Sequence, residues 1–287
     1  MFVPLAVAAS AAAAEPVPDG RLAAALGLAD EFAASGDNAA AALEYRRLAA
    51  DLDDPATRAA PLLLAAESYR RAADWPRMER MLDKAEDAGA AADPATACLR
   101  LFLAEGRREW VSAMLYAETL QDAAARADDA ALAGFAAGAR AADALRAGRT
   151  DEARAAVRGD PERLRLVEAY AAGSDKSPRV GGLLGLVPGL GYAYSGEWGN
   201  MVRSMVLNGL FGWAMFECAD RDEWGLFAVA TFFELTWYTG SVYGGVDAAH
   251  RYNRERLERA AAALRGDREP ALRRAPGIPL LGVKLSF

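Results

Sequence analysis

Pro188-Gly189-Leu190-Gly191-Tyr192-Ala193-Tyr194-Ser195-Gly196 opens the part of this chain whose reading decides the fold. Small and aromatic residues alternate here without a single charge, and from Val180 to Asn253 apolar residues crowd around further glycines. Ahead of it lies an alanine-rich, charge-dotted region that reads as stacked helix pairs. The expectation is an all-α chain in two parts: a helical platform facing water, then a glycine-rich, aromatic-rich helical unit associated with a membrane.

Working outward, Gly181, Gly185 and Gly189 recur every fourth residue, so on a helix they form a smooth strip that a second helix can approach closely. Gly191 extends the strip beyond Pro188, which kinks or ends the helix. Two apolar elements follow, Met201 to Cys218 and Trp224 to Val246, each near the ~20 residues of a membrane crossing. Arg203, Asn208, Glu217 and Glu234 interrupt them, a cost in lipid that implies helices facing one another. Thr231, Glu234, Tyr238 and Ser241 share one helix face, which predicts a buried polar set of Asn208, Glu234 and Tyr238. Gly240 and Gly244 are expected to form another close-contact pair, and the many Trp and Tyr residues suit interfacial anchoring. The alternative is a water-excluded helical core holding the same aromatics.

Upstream, residues 21–173 read as helical hairpins. Leu22, Leu26, Ala29 and Phe32 share a face that stops at Gly36-Asp37, and the pattern resumes through Ala41, Tyr45 and Leu48. Ala66, Tyr69, Asp74, Met78 and Leu82 mark a second unit. Leu99, Phe102, Gly106, Val111 and Leu115 mark a third, and Ala144, Gly148, Ala153 and Val157 a shorter fourth before a closing helix from Pro161. These small, aromatic and turn positions resemble tetratricopeptide repeats. That likeness implies a curved inner surface taking a peptide or helix of another protein. Arg70, Arg71, Arg107 and Arg108 are candidates to line such a groove for a carboxylate-bearing partner, against the reading of a solvated charged face.

Residues 1–14 form a short apolar, alanine-rich run with small residues at Ala12-Ala13-Ala14, as in an export signal, although no Lys or Arg follows Met1. Residues 15–20 then form a proline-stiffened extension and 174–180 a linker to the unit at 181–246. Residues 247–266 read as a weakly basic juxtamembrane helix. In the tail, 267–287, apolar residues from Leu281 to Phe287 recur with a period of two. That ending resembles the terminal strand of bacterial outer-membrane proteins; a short edge strand laid over helices is the other reading.

The glycine run, with Asn208-Gly209, Glu234, Trp237-Tyr238-Thr239-Gly240, Tyr243-Gly244-Gly245 and Ala249-His250-Arg251-Tyr252-Asn253, resembles a family of uncharacterised bacterial envelope proteins. These pair a helical-repeat region with a membrane-associated glycine-rich hairpin. Its opening also resembles two-transmembrane hairpin families with Pro-Gly-x-Gly-x-x-Tyr-x-Gly, where a Gln often follows the second Gly. Tyr192 stands there instead, so a role resting on that Gln does not transfer. The resemblance implies membrane association and no chemistry.

Lys+Arg 33 against Asp+Glu 40 gives a net charge of −7, which argues against nucleic acid as a partner. One histidine and two separated cysteines leave no metal or disulfide framework, and no catalytic set or cofactor motif emerges. The expected partners are other envelope proteins or peptides, membrane lipid and further copies of this chain. The expected function is a non-enzymatic scaffold or assembly factor of the cell envelope, in either the inner or the outer membrane. A component of an oligomeric channel or transporter, with Glu234 and Asn208 on a polar path, is the alternative.

Overall fold

The computed structural model describes residues 19–266, 270–274 and 283–286. The expected leader, 1–14, and most of the extension after it lie outside them. The fold is predominantly α-helical and divides into two compact units. One holds the described residues up to Val167 together with those from Ala261 onward; the other is Glu168–Ala260.

The first unit is an array of helical hairpins compatible with a helical repeat. It runs through α1 (Asp19–Ser35), α2 (Asn38–Asp51), α3 (Pro55–Arg71) and α4 (Trp75–Asp87), then a 3₁₀ turn at Ala90–Ala92. It continues with α5 (Pro94–Gly106), α6 (Trp110–Arg126), α7 (Ala130–Arg146), α8 (Thr150–Ala156) and the start of α9 (Pro161–Ala172). Neighbours in sequence pack as neighbours in space. Four corners are built alike: Ala73, Arg108, Asp128 and Gly148 take left-handed φ of 53°, 61°, 54° and 73°. The next N–H then donates back, Asp74 to the Tyr69 carbonyl, Glu109 to Ala104, Asp129 to Ala124 and Arg149 to Ala144, at 2.8–3.0 Å. This closure satisfies carbonyls that a helix end leaves open. Asp37, Asp74 and Asp129 then cap the following helix by accepting backbone N–H groups.

Small residues let the helices approach, and the core follows the expected faces in the first two hairpins: Leu26, Ala29, Ala41, Tyr45, Leu48, Ala66, Tyr69, Met78 and Leu82 are all buried. The third departs. Val111 and Leu115 are 54% and 61% exposed, and α6 instead buries Ala113, Met114, Ala117, Leu120 and Ala124. The buried face of α6 therefore lies roughly opposite Val111 and Leu115, because alanines admit a closer helix approach than valine and leucine would.

The second unit holds the end of α9, α10 (Pro178–Leu184), α11 (Leu190–Tyr194), α12 (Trp198–Asp220) and most of α13 (Trp224–Arg265). The corner before α12 repeats the array's device: Gly196 has φ 81° and Glu197 N–H donates to the Tyr192 carbonyl at 3.0 Å. Two boundaries differ from those expected. The second unit begins at Glu168, where Arg256 on α13 reaches the Tyr170 carbonyl at 2.7 Å and Asp175 at 2.8 Å. The chain also returns to the first unit at Ala261, beyond which β1 (Ala271–Arg274) pairs antiparallel with β2 (Val283–Ser286), Leu272 opposite Leu285. Both strands lie against α3.

Candidate functional site

Two places merit a functional reading, one in each unit. In the first unit the leading helices α3, α5 and α7 offer the row that a stacked-hairpin array would present to a partner. That row is occupied by the chain itself. Leu264 is fully buried, and its carbonyl sits so close to Gly138 that no Cβ fits there. The Arg265 guanidinium lies 5.3 Å from the Phe102 ring centre and 5.2 Å from that of Phe135, and it bonds to Glu105. Arg70 stacks on Phe102 at 4.5 Å. Asp143, buried completely, bonds Arg146 at 3.0 Å through one oxygen and leaves the other unpartnered. Burial, reinforced by nearby Glu105, outweighs Arg146 and pushes the Asp143 carboxyl up to about 7.

The four arginines proposed from sequence are not gathered into one groove. Arg70 and Arg71 both bond the buried Glu67, at 2.7 and 2.9 Å, and Arg107 makes a bidentate pair with Glu79 at 2.6 Å. Arg108 is the left-handed corner residue and points to solvent. An open crevice of about 800 Å³ lies instead among α2, α3 and α4, with Leu43, Leu62, Arg46, Arg47, Arg58 and Lys84 on its walls. Adjacent cations in Arg46-Arg47 were the only sequence signal for it.

In the second unit α10, α11 and α13 converge at glycines. A Cβ on Gly191 would stand 2.5 Å from the Gly181 carbonyl oxygen and 2.7 Å from Gly245 Cα, and one on Gly185 would stand 2.8 Å from Val242 Cα. Gly181 meets the backbone of Gly245, and Gly244 meets the Tyr192 hydroxyl. Gly189 serves differently: its φ is 90°, and its N–H donates to Ser241 Oγ at 3.1 Å. Gly240 has open space around it, so it belongs to no contact pair within the described residues. Sequence reasoning missed Gly245 and Gly182, whose neighbours lie on α10 and α13. Tyr238 donates to the Leu186 carbonyl at 3.0 Å, which ties the kink after α10 to α13.

Beyond this junction α12 and α13 form a hairpin, registered by the stacked rings of Phe211 and Phe233 at 5.8 Å. Asn208 is buried and donates to the Ser204 carbonyl at 2.7 Å; its Oδ1 and Glu234 Oε2 are enclosed without partners. Thr231, Glu234, Tyr238 and Ser241 are all on the less exposed face of α13. The opposite faces are bare of cover: Trp198, Val202, Met205, Val206, Leu210, Trp213 and Phe216 on α12, and Trp224, Leu226, Val229, Phe232, Leu235, Trp237 and Tyr243 on α13, are 43% to 72% exposed. Even so, no helix among the described residues is long and apolar enough to cross a membrane. The expectation that each of these elements could cross therefore does not hold for either helix taken alone; Arg203, Asn208, Glu217 and Glu234 dilute them.

Among the described residues no group of three or more His, Cys, Asp or Glu side chains is placed to hold a metal ion. Cys98 and Cys218 are both free, and burial pushes the Cys98 thiol upward, away from reactivity. No family model, no curated protein and no solved structure matches the chain.

Proposed function

We propose that this protein is a non-enzymatic scaffold or assembly factor of the cell envelope, with a tetratricopeptide-like array for protein partners and a helical hairpin seated in lipid. The observation that carries the reading is the uncovered apolar surface of α12 and α13. Fourteen large apolar or aromatic side chains form it, where a monomer in water ordinarily exposes such residues singly. Averaged hydropathy counts inward and outward residues alike, whereas lipid meets only the outward ones. Asn208 and Glu234 lower the average of each helix but lie on the faces turned away from solvent, and Arg203 and Glu217 stand toward the two ends of α12. The 23 residues of α12 rise about 34 Å, comparable with the ~30 Å of a bilayer's hydrocarbon. Trp198 stands at one end of that rise and Trp224 at the other, where interfacial aromatics belong.

Partners meet the array on the surface that its own C-terminal segment leaves free, with the crevice beside Arg46 and Arg47 as the open face. The test is flotation of the full chain on a sucrose gradient with phospholipid vesicles, beside the double variant Phe216→Glu, Phe232→Glu. The wild type is expected to float and resist a carbonate wash, and the variant to lose that resistance. A wild-type chain that stays monomeric in the vesicle-free fractions without detergent ends the proposal. A second reading, part of an oligomeric channel, rests on the enclosed, unpartnered oxygens of Asn208 and Glu234. Ion flux through proteoliposomes that vanishes in Glu234→Ala would favour it.

A further inference from the structure

Where α11 turns into α12, the second unit carries a cavity of about 670 Å³ whose walls include Ser195, Trp198, Gly199, Arg203, Arg251 and Glu255. Its charges are already partly spoken for. Arg251 grips Glu197 with two bonds of 2.9 Å, and Asn200 donates to the same carboxylate at 2.6 Å. These bonds hold the Glu197 carboxyl below the usual carboxylate range. What remains is one free charge of each sign: among the described residues Arg203 and Glu255 have no ion-pair partner.

The rest of the lining is equally particular. The first turn of α12 has no side-chain cap, so its N–H groups face outward with the positive end of a 23-residue helix behind them. Open space lies beside Gly199, which lets an anion approach that backbone. Ser195 is 93% buried, judged by its 7% exposure, and its hydroxyl finds no partner. Arg203 lies more than a turn along α12 yet lines the cavity at the helix start, so its side chain runs back along the helix toward the hairpin's base. Trp198, 64% exposed, offers a ring face on the rim.

We infer that this cavity binds the headgroup of a zwitterionic phospholipid, with the phosphodiester against Arg203 and the uncapped turn of α12 and the ammonium between Glu255 and Trp198. The inference rests on the seating of the hairpin in lipid, since that seating brings the cavity to headgroup depth. A guanidinium and helix N–H groups match phosphate oxygens, and a carboxylate beside an indole face matches an ammonium. A singly anionic headgroup would satisfy the first half and leave Glu255 facing a like charge.

The test uses the full chain, delipidated in detergent, with phosphatidylethanolamine or phosphatidylglycerol added at equal concentration and bound lipid counted by native mass spectrometry. The wild type is expected to retain phosphatidylethanolamine preferentially. Arg203→Gln should weaken retention of both lipids about tenfold, the loss of one charge-assisted contact. Glu255→Gln should weaken phosphatidylethanolamine alone, a charge-selective effect that a misfolded variant would not produce. Equal retention by wild type and both variants, or a wild-type preference for phosphatidylglycerol, overturns the proposal. Titration with soluble glycerophosphoethanolamine separates the sources: binding as tight as that of the lipid would assign the cavity to a free phosphodiester and overturn the lipid assignment. A wild type that fails to float with vesicles but keeps Arg203-dependent selectivity in detergent ends the bilayer reading and leaves the headgroup chemistry standing.

Discussion

Replacing Gly191 with alanine probes the junction on which the second unit is built. The new methyl carbon would stand 2.5 Å from the Gly181 oxygen, 2.7 Å from Gly245 Cα and 3.3 Å from Gly185 Cα, against the 3.0 Å that real Cβ atoms respect. All three neighbours are backbone atoms, so no side chain can swing aside. Relief to an ordinary carbon contact requires α10 or α13 to retreat by about 1 Å. Overpacking of this kind costs about 3 kcal/mol at the upper end, and the gain in helix propensity returns at most ~1 kcal/mol. The net loss of about 2 kcal/mol corresponds to roughly thirty-fold faster amide exchange. The assay is hydrogen–deuterium exchange of the full chain in detergent. The peptides covering α10, α11 and residues 241–249 should lose protection while those of the array keep it. Gly240→Ala is the counter-test: with nothing within 4 Å it should slow exchange locally, as alanine stabilises an open helix by up to ~1 kcal/mol. Unchanged exchange in Gly191→Ala would refute the convergence, and faster exchange in Gly240→Ala would show that another chain packs on that face.

Arg265→Ala removes the guanidinium held between two phenylalanine rings and bonded to Glu105, whose side chain is only 13% exposed. Loss of one partner of such a pair should cost about 3 kcal/mol and expose Phe102 and Phe135. Chemical denaturation should show the drop and a dye for apolar surface should report the opening; neither change would mean that the C-terminal segment does not hold the row. Asp143 predicts a pH slope. Its carboxyl titrates near 7 in the folded chain and near an ordinary ~4 when unfolded, so the folded form binds the extra proton in between. Its contribution is fully present below about pH 4 and is lost as pH rises toward 7, on the order of 4 kcal/mol in all. Asp143→Asn should flatten that fall in denaturation midpoints measured across the window; an unaltered slope would remove Asp143 as its source.

Much of the array was legible because its signals are local. Alanine-rich faces, Gly36, Asp37, Asp74 and Gly148 specify helix ends and hairpins within a few residues. The third hairpin was misread for a related reason: on an alanine-rich helix, Val111 and Leu115 look like the core, yet close helix approach selects the small residues beside them. The charged face misled as well. Arg70, Arg71 and Arg107 stand out in the sequence, but their partners Glu67 and Glu79 neutralise them in place.

In the second half, the inward face of Thr231, Glu234, Tyr238 and Ser241 followed from helical periodicity alone. The glycine strip was partly legible. Gly181, Gly185 and Gly191 pack as backbone neighbours, Gly244 takes a tyrosine, Gly189 turns the chain, and Gly240 stays open. Spacing cannot sort these roles, because each depends on what another helix brings to the same point.

The amino-acid order by itself determined the helices, the corners, the buried faces of the first two hairpins and the contrast between a charge-dotted half and a greasy one, all set by residues within a turn or two of each other. Only the tertiary structure decided that the chain returns at Ala261 to fill the row its own array presents, and that Ser195, Arg203 and Glu255 share one cavity. Both outcomes join residues that lie far apart along the chain. Their pairing depends on which backbone surfaces fit without a void or a clash, and that is a property of the packed molecule, not of any short stretch.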